Sequence, residues 1–525
     1  MADVSEKMAI AVRHHQAGRL DQAEHSYRSL LESAPDDPAV LHSLGVLAHQ
    51  RRENDLAVEL LEKAIAINQN VPQFHNNLGI ALKALGKFEE AVTACEKAVA
   101  LEPGYAQAFK NLGNALLSCG KSEKAVQAYR KVIALKPGCA EAYNDLAIVL
   151  AKQGNYDEAM ANSARAIEIK PDYAHPYNTM ASTCHMRGEF DKAIENCRKA
   201  LQLKPDCPEA HNNLGMTLLL KGQFEQGWAE YAWRRLAGDV DHVNRLENPG
   251  WDGCCFKGKT LLIHCEQGMG DNIQFVRYLP MVKQRGGTVV FTAGSPLADL
   301  LRTVDGIDII LEAASDRLRN MKFDYCVSVL DLPGIFGTTA ETIPAKVPYI
   351  FAEPEKVRFW RSKVDGDKFK VGIAWAGSQV HDNDRNRSCL LRDFLPLSGI
   401  EGVAVYGLQK GPATRQIEEL AGDITVTNFG EQFKDFTDTA AAVENMDLII
   451  SVDTAVLHLA GAMGKPAWGL LPFVPDWRWM LDRADSPWYP TIRLFRQSQW
   501  GDWADVFGRV AGQLQQLIHR RVSTD

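Results

Sequence analysis

The sequence predicts an α-solenoid of helix pairs followed by an α/β region built from two parallel-sheet halves. Two patterns support this fold class: a 34-residue internal period in the first half of the chain, and short apolar runs alternating with helical patterns in the second. The chain has 525 residues, 46% hydrophobic and 24% charged. This composition is typical of globular proteins, and the length indicates several domains.

The period is carried by Leu-Gly or Leu-Ala pairs, by a glycine at six of the predicted inter-helix turns and by an alanine at the close helix contact. The leucines of the pairs are Leu44, Leu78, Leu112, Leu146 and Leu214. One such helix pair cannot bury its apolar face alone, so we expect the pairs to stack into a superhelix with a concave surface. The pattern resembles the tetratricopeptide repeat, with about seven units over residues 1–241.

Asparagines recur on the first helix of these repeats. They include Asn77, Asn111, Asn144, Asn178 and Asn213. An amide offers donors and an acceptor, so such a ladder could bind the backbone of an extended peptide. A similar ladder marks the repeats of O-linked N-acetylglucosamine transferase, and the resemblance implies a protein substrate in the concave groove. The alternative interpretation is that asparagine is merely common and solvated at this position.

The periodicity ends in an aromatic segment, and residues 242–258 are interpreted as a linker. Two series of apolar runs follow, which predict a first half over 259–345 and a second half over 346–525. The predicted strands are Thr260–Cys265, Thr288–Thr292, Ile307–Leu311, Lys370–Trp375, Val403–Leu408, Asp447–Val452 and Ala467–Leu471. The last helix is expected to cross back onto the first half.

Ligands of open α/β sheets lie beyond the carboxyl ends of the strands, so the loops that follow these runs are candidate sites. The first loop is Gly268-Met269-Gly270-Asp271. Its glycines, among them Gly270, allow close backbone approach, and Asp271 starts the next helix. An aspartate at this position suits a general base, and it equally suits an N-cap.

The second half carries the corresponding polar loops. Asp453-Thr454-Ala455 lies between a strand and a helix that contains His458, and helix N-terminal amides with a threonine hydroxyl suit a diphosphate. Simple capping is the alternative, and His458 could equally be a packed core residue. The other donor-site candidates are Ser378, Arg385, Arg387 and Gln409. The arginines could bind phosphate oxygens or form a solvated loop.

Together these loops resemble the heptosyltransferase-type family of GT-B glycosyltransferases. The resemblance implies two Rossmann-like halves, a sugar-nucleotide donor, no essential metal and inversion at the anomeric centre. It implies Asp271 as the base, with Arg387 and the Thr454-Ala455 turn as donor-phosphate contacts. The segments 472–479 and 485–490 look like a bacterial subgroup that joins such a domain to tetratricopeptide repeats and includes enzymes that glycosylate flagellin.

The expected function is therefore transfer of a sugar to Ser or Thr of a protein held by the repeats, in the cytoplasm. The alternatives are a transferase acting on glycan or lipid-linked sugar, with the repeats binding partner proteins, and a non-catalytic scaffold. A net charge of −8 argues against nucleic acid as a partner. No membrane span and no cofactor are expected. The triplets Asp239–Asp241, Asp365–Asp367 and Asp382–Asp384 are interpreted as incidental, not as metal sites.

Overall fold

A computed structural model of the protein describes residues 2–237, 249–313, 315–381 and 383–522. By its internal contacts the chain forms two compact units, Met1–Thr183 and Cys184–Asp525. This division falls at 183/184, not at the predicted boundary near 241, because the last repeats pack with the α/β region. Much of the predicted linker and the Asp239–Asp241 triplet lie outside the described residues.

The repeats are antiparallel helix pairs, and together they form a tetratricopeptide solenoid of the predicted kind. Seven pairs are described: α1 (Ala2–Gln16) with α2 (Leu20–Ser33), α3 (Pro38–Gln50) with α4 (Asn54–Ile67), α5 (Pro72–Ala84) with α6 (Phe88–Leu101), α7 (Ala106–Ser118) with α8 (Ser122–Leu135), α9 (Ala140–Lys152) with α10 (Tyr156–Ile169), α11 (Ala174–Met186) with α12 (Phe190–Leu203), and α13 (Pro208–Leu220) with α14 (Phe224–Tyr231). A short helix, α15 (Arg234–Ala237), follows.

Small residues let the helices of each pair approach closely. Ala57, Ala91 and Ala125 are fully buried at equivalent positions. Gly79 faces the next helix, where an added Cβ would lie 2.4 Å from Sγ of Cys95. The turn glycines adopt positive φ, as at Gly86 with φ 75°, a conformation that costs other residues free energy. The sequence-based roles of these positions are therefore confirmed.

The α/β region contains two all-parallel sheets. Their strands are β1 (Thr260–His264), β2 (Thr288–Ala293), β3 (Ile309–Glu312), β4 (Tyr325–Ser328), β5 (Phe369–Ala374), β6 (Val403–Gly407), β7 (Val426–Asn428), β8 (Leu448–Val452), β9 (Ala467–Leu471) and β10 (Ile492–Arg496). The order is β3-β2-β1-β4 in the first sheet and β10-β9-β8-β5-β6-β7 in the second. All seven predicted strands are confirmed, while β4, β7 and β10 were not predicted.

Helices connect the strands on both halves. They are α16 (Met269–Phe275), α17 (Leu279–Lys283), α18 (Ser295–Leu301), α19 (Asp316–Asn320), α20 (Leu332–Ile335), α21 (Pro354–Arg361), α22 (Asp384–Arg387), α23 (Leu395–Ser398), α24 (Arg415–Glu419), α25 (Phe436–Glu444), α26 (Ala455–Ala462) and α27 (Trp503–Val522). No helix in the described ranges is long and apolar enough to cross a membrane.

The last helix corrects one prediction. The buried face of α27 contributes Val506, Phe507, Val510 and Leu514 to the core beside the second sheet. Phe507 packs on Phe394 of the same half, with ring centroids 4.5 Å apart. The prediction that this helix crosses back onto the first half was therefore wrong, because its apolar stripe is already covered by the second half.

Candidate active site

The strand order determines where a ligand site can form. In each sheet the first strand of the chain has a neighbour on both sides, and the chain proceeds to one side and then to the other. Open sheets of this kind form a ligand crevice between the two adjacent strands whose following loops diverge. In the second sheet these strands are β5 and β8, with Ala374 beside Ser451. In the first sheet they are β1 and β4, with His264 beside Ser328. The loops singled out from the sequence follow β1, β5 and β8.

Asp271 lies in the first turn of α16 and makes two charge-assisted contacts. Its Oδ2 accepts a hydrogen bond of 2.8 Å from the backbone N–H of Gly268, and its Oδ1 accepts one from Arg478. The side chain remains 17% exposed. Gly268, not Asp271, is the N-cap residue of α16, and Asp271 at the third helical position accepts from the N-cap backbone N–H. The exposed fraction leaves carboxylate lone pairs that a substrate hydroxyl could reach.

Arg478 is a site residue that the sequence analysis did not single out. It is buried and pairs with both Asp271 and Asp476, the latter at 2.8 Å. Its guanidinium also lies 4.3 Å from the ring centroid of Trp477. Burial alone would lower the pKa of Arg478, but the two carboxylates raise it, so the side chain stays charged. The only sequence signal for this role was an arginine between two tryptophans.

Gly270 lies where the two halves meet. An added Cβ would lie 2.7 Å from Cδ2 of His458 and 3.5 Å from Cα of Ala455, so α16 and α26 contact each other through this glycine. Thr454 is the N-cap residue of α26, and its hydroxyl lies 2.9 Å from that of Ser451. The structure therefore brings the Asp271 loop and the Thr454-Ala455 turn together.

His458 is a buried residue that joins several parts of the site. Its Nδ1 lies 2.9 Å from the hydroxyl of Tyr489, its Nε2 lies 3.5 Å from Oδ1 of Asp453, and its ring stacks on Trp479. Burial alone would raise the pKa of Asp453, but the hydrogen bond and charge of His458 and the charge of Arg387 hold it well below its ordinary value. The burial and the contacts of His458 are those of a packed core histidine.

Arg387 packs over the backbone of Gly377. An added Cβ on Gly377 would lie 2.4 Å from Nη2 of Arg387, and Nε of Arg387 lies 3.4 Å from Oδ1 of Asp384. The positive charge of Arg387 also helps to lower the pKa of Asp453. Arg385 and Ser378, in contrast, are exposed.

Gln409, one of the donor-site candidates, makes hydrogen bonds to the backbone of the loop after β5. Its Oε1 accepts hydrogen bonds from the backbone N–H groups of Trp375 and Ala376, at 3.1 and 2.9 Å, and its Nε2 donates to the carbonyl of Lys410. The side chain is buried. Gln409 therefore holds the loop after β5 in place, and its oxygen is already occupied by two donors.

The asparagines of the repeats form hydrogen bonds between successive repeats. On four of the first helices, α5, α7, α9 and α11, a side chain pairs with a side chain 35 residues earlier, on the preceding first helix. These rungs are Asn77 with His42 at 2.7 Å, Asn111 with Asn76 at 2.8 Å, Asp145 with Lys110 at 3.6 Å, and Thr179 with Asn144 at 2.9 Å.

The rungs correct part of the groove prediction. Asn144 is buried, and its oxygen accepts from the Thr179 hydroxyl, so it is not a free peptide contact. Asn77 and Asn111 are half-buried and also bonded to neighbouring repeats. Asn178 and Asn213 are half-buried as well. An inter-repeat hydrogen bond explains the spacing of the ladder without a bound peptide.

In the part of the chain that the structure describes, no group of three or more His, Cys, Asp or Glu side chains lies close enough together to hold a metal ion. In the Asp365–Asp367 triplet, the carboxylate of Asp365 accepts from the backbone of Asp367. Asp382, in the third triplet, lies outside the described residues.

These features define a class of protein in which a tetratricopeptide-repeat solenoid precedes an α/β region with two parallel sheets. Family models agree for the repeats. A model described as TPR repeat matches residues 113–154 and 181–222, and models described as Tetratricopeptide repeat match residues 8–73, 72–105, 94–127 and 139–170.

The chain is similar to Protein FlbA of Caulobacter vibrioides, with 28% identity over 313 residues. The match covers 55% of this chain and 52% of that protein, so the chain spans about half the length of this relative. Among solved structures, MamA is 28% identical, with 31% of this chain and 95% of that chain covered at a TM-score of 0.29. A tetratricopeptide repeat protein from Parabacteroides merdae is 18% identical, with 47% and 97% covered at a TM-score of 0.41.

Proposed function

We propose that the protein is a metal-independent glycosyltransferase that moves a sugar from a nucleotide-sugar to a Ser or Thr hydroxyl of a protein. The observation that carries the proposal is the contact between α16 and α26 at Gly270, which places Asp271 beside the Thr454-Ala455 turn. A base close to an anion-binding helix N-terminus is the pair of groups that such a transfer needs.

The chemistry assigns one task to each side. The substrate hydroxyl oxygen attacks the anomeric carbon, its proton passes to the Asp271 carboxylate, and the bond from that carbon to the diphosphate oxygen breaks. Negative charge then grows on the departing nucleoside diphosphate. Arg387, the Thr454 hydroxyl and the first amides of α26 stabilise this charge. Arg478 orients the Asp271 carboxylate through their ion pair.

Flagellin is the first acceptor to test, because the sequence resembles a group of transferases that includes flagellin-modifying enzymes. The repeats would hold the acceptor through the half-buried polar edge of their first helices. Since Asn77, Asn111 and Asn144 are engaged between repeats, recognition would rest on the donors and acceptors that these rungs leave unused.

The experiment measures release of nucleoside diphosphate from a panel of UDP-, GDP- and ADP-activated sugars in the presence of EDTA. The proposal predicts slow release with one donor and faster release when purified flagellin is added. No release from any donor, with or without flagellin, would contradict it. Release that requires Mg²⁺ or Mn²⁺ would contradict the metal-independent mechanism.

A transferase acting on a glycan or lipid-linked sugar is the second candidate, and the division of the chain at 183/184 favours testing it. A chain shortened to begin at α11 keeps the repeats that pack with the α/β region. If this chain modifies a small sugar acceptor as fast as the full chain does, and never modifies protein, the second candidate replaces the first.

A further inference from the structure

The loop that carries Asp271 begins with a residue in an unfavourable backbone conformation. Gln267 has φ 59°, in the left-handed region that non-glycine residues rarely occupy. Such a conformation persists only where the surrounding structure holds it. The contacts made by Glu266 and Gln267 therefore show what holds the loop.

Arg234 of α15, directly after the last repeat, holds Glu266. Its Nε and Nη2 donate to the two carboxylate oxygens of Glu266 at 2.9 and 2.8 Å, and Nη2 also reaches Asp331 at 2.8 Å. Burial alone would raise the pKa of Glu266, but the charge of Arg234 brings it below its ordinary value. A paired, two-point contact of this kind restricts both position and orientation.

Tyr231, at the end of α14, holds the next residue. Its hydroxyl accepts a hydrogen bond of 3.2 Å from Nε2 of Gln267. Its ring also packs against Trp477, with centroids 5.7 Å apart, and Trp477 directly precedes Arg478. Tyr231 thus touches both segments that contact Asp271.

The other repeats supply an internal comparison. Tyr129 lies three repeat periods before Tyr231, and Tyr27 lies three periods before Tyr129. The hydroxyl of Tyr129 donates to Asn114 at 2.7 Å, and that of Tyr27 lies 3.3 Å from Nδ1 of His15. At this repeat position the tyrosine hydroxyl normally bonds within its own repeat. Only Tyr231 among these three directs it to the loop beside Asp271.

We infer that Tyr231 and Arg234 are positioning residues that hold the Glu266–Asp271 loop in its reactive conformation. The last residues of the solenoid therefore stabilise the conformation of the active-site loop, in addition to any role of the repeats in acceptor binding. The inference rests on the proposed function for the role of Asp271, whereas the conformation of the loop can be measured without any substrate.

The test compares Tyr231→Phe with Tyr129→Phe in the full-length protein. Both changes remove one buried hydroxyl at the same repeat position. We expect Tyr231→Phe to lower kcat by about three- to tenfold with the donor KM little changed, because a displaced base slows chemistry without weakening donor binding. Hydrogen exchange of peptides covering residues 266–272 should become faster. Tyr129→Phe should change neither quantity.

A double-mutant cycle separates positioning from general loss of structure. If Tyr231 acts through Gln267, then Tyr231→Phe combined with Gln267→Met should be no slower than the worse single variant. Additive losses, or unchanged exchange at residues 266–272 in Tyr231→Phe, would overturn the inference. If the wild type shows no transfer with any donor, the proposed function fails, while the exchange measurement still decides whether the last repeat holds the loop.

Discussion

At the scale of single residues, the ion pair between Asp271 and Arg478 determines what the site can do. An arginine contact fixes the direction of the carboxylate, and a carboxylate still has lone pairs for a second partner. Arg478 is itself buried with two acidic neighbours, Asp271 and Asp476. Removal of either acid therefore leaves a partly compensated buried charge, which costs stability.

Replacing Asp271 with Asn tests the base. The amide keeps the shape and the oxygen that caps Gly268, but it has no basic lone pair, so transfer should fall by about 10²–10⁴. Because Arg478 loses one of its two carboxylates, we also expect a modest fall in Tm. Steady-state transfer and thermal unfolding of the same preparation give both values.

Asp476→Asn is the matched control, since it removes the other carboxylate beside Arg478. It should lower Tm by a similar amount and leave most of the turnover. If both variants lose turnover equally, the loss at Asp271 reflects the charge balance of Arg478 and not base catalysis. Near-normal turnover of the Asp271 variant would remove that residue as the base.

Arg387→Ala tests the phosphate contacts. Charge-assisted hydrogen bonds are worth about 1.5–3 kcal/mol, so donor affinity or turnover should fall by roughly one to two decades. Isothermal titration with the product nucleoside diphosphate measures the affinity directly. Arg392→Ala, at an exposed arginine of the same half, serves as control. Equal affinities for the two variants would place the phosphates elsewhere.

At the scale of elements, the rungs between repeats are the informative feature. Three of the four rungs join neutral side chains, and the fourth joins Lys110 to Asp145 at 3.6 Å. Burial raises the pKa of Asp145, and the charge of Lys110 offsets only part of this effect. The negative charge of the Asp145 carboxylate is thus only partly balanced by a cation. At the equivalent position of the two preceding repeats, Asn77 and Asn111 carry a neutral amide instead.

Asp145→Asn should therefore leave the free energy of unfolding at pH 7 unchanged or raise it by up to about 1 kcal/mol, because it removes the burial cost of the charge. Lys110→Ala should lower it by about 1–2 kcal/mol, because the carboxylate then has no cation beside it. Urea denaturation of both variants checks this. A clear destabilisation by Asp145→Asn would show that the ion pair outweighs its burial cost.

His185, at the end of α11, predicts a pH effect in the second unit. Burial lowers the pKa of His185 to about 4, although the charge of Asp476 opposes the shift, and its Nδ1 lies 2.9 Å from the Thr217 hydroxyl. The unfolded chain takes up a proton near pH 6.5 and the folded chain does not. The stability due to neutral His185 is thus complete above about pH 6.5 and is lost as the pH falls towards 4.

Between pH 7 and pH 4.5 the free energy of unfolding should fall in both proteins. We expect this fall to be about 1–2 kcal/mol smaller in His185→Gln than in the wild type. Comparison of the two proteins cancels the contribution of the carboxylates that titrate in the same range. Parallel pH profiles of wild type and variant would contradict the assigned pKa of His185.

At the scale of the whole molecule, the features that could be predicted from the sequence are those that a residue pattern specifies. The helix pairs follow from the 34-residue period, and seven of the strands follow from short apolar runs. Strands β4, β7 and β10 were missed because they are short or carry charges, as with Arg493 and Arg496 in β10. The packing of α27 was predicted on the wrong half, since an apolar stripe does not say which surface covers it.

The parts of the candidate site that could be predicted from the sequence are the glycine-containing and polar loops that follow the strands. The Gly270-Asp271 loop and the Thr454-Ala455 turn were expected at the crevice, and they meet there. Arg478 and the contacts of Tyr231 with Gln267 could not be predicted, because they join segments far apart in the chain. The burial of Asn144 was not foreseen, because a polar residue at a surface-like position can form its hydrogen bonds inside the protein.

The central claim is that the α/β region transfers a sugar to protein with Asp271 as base. The most direct measurement is the intact mass of flagellin co-expressed with the wild-type protein or with Asp271→Asn, in a host that supplies the nucleotide-sugars. The account predicts mass increments of one sugar or multiples of it with the wild type, and unmodified flagellin with the variant. Unmodified flagellin in both cultures, or equal modification in both, would contradict the account.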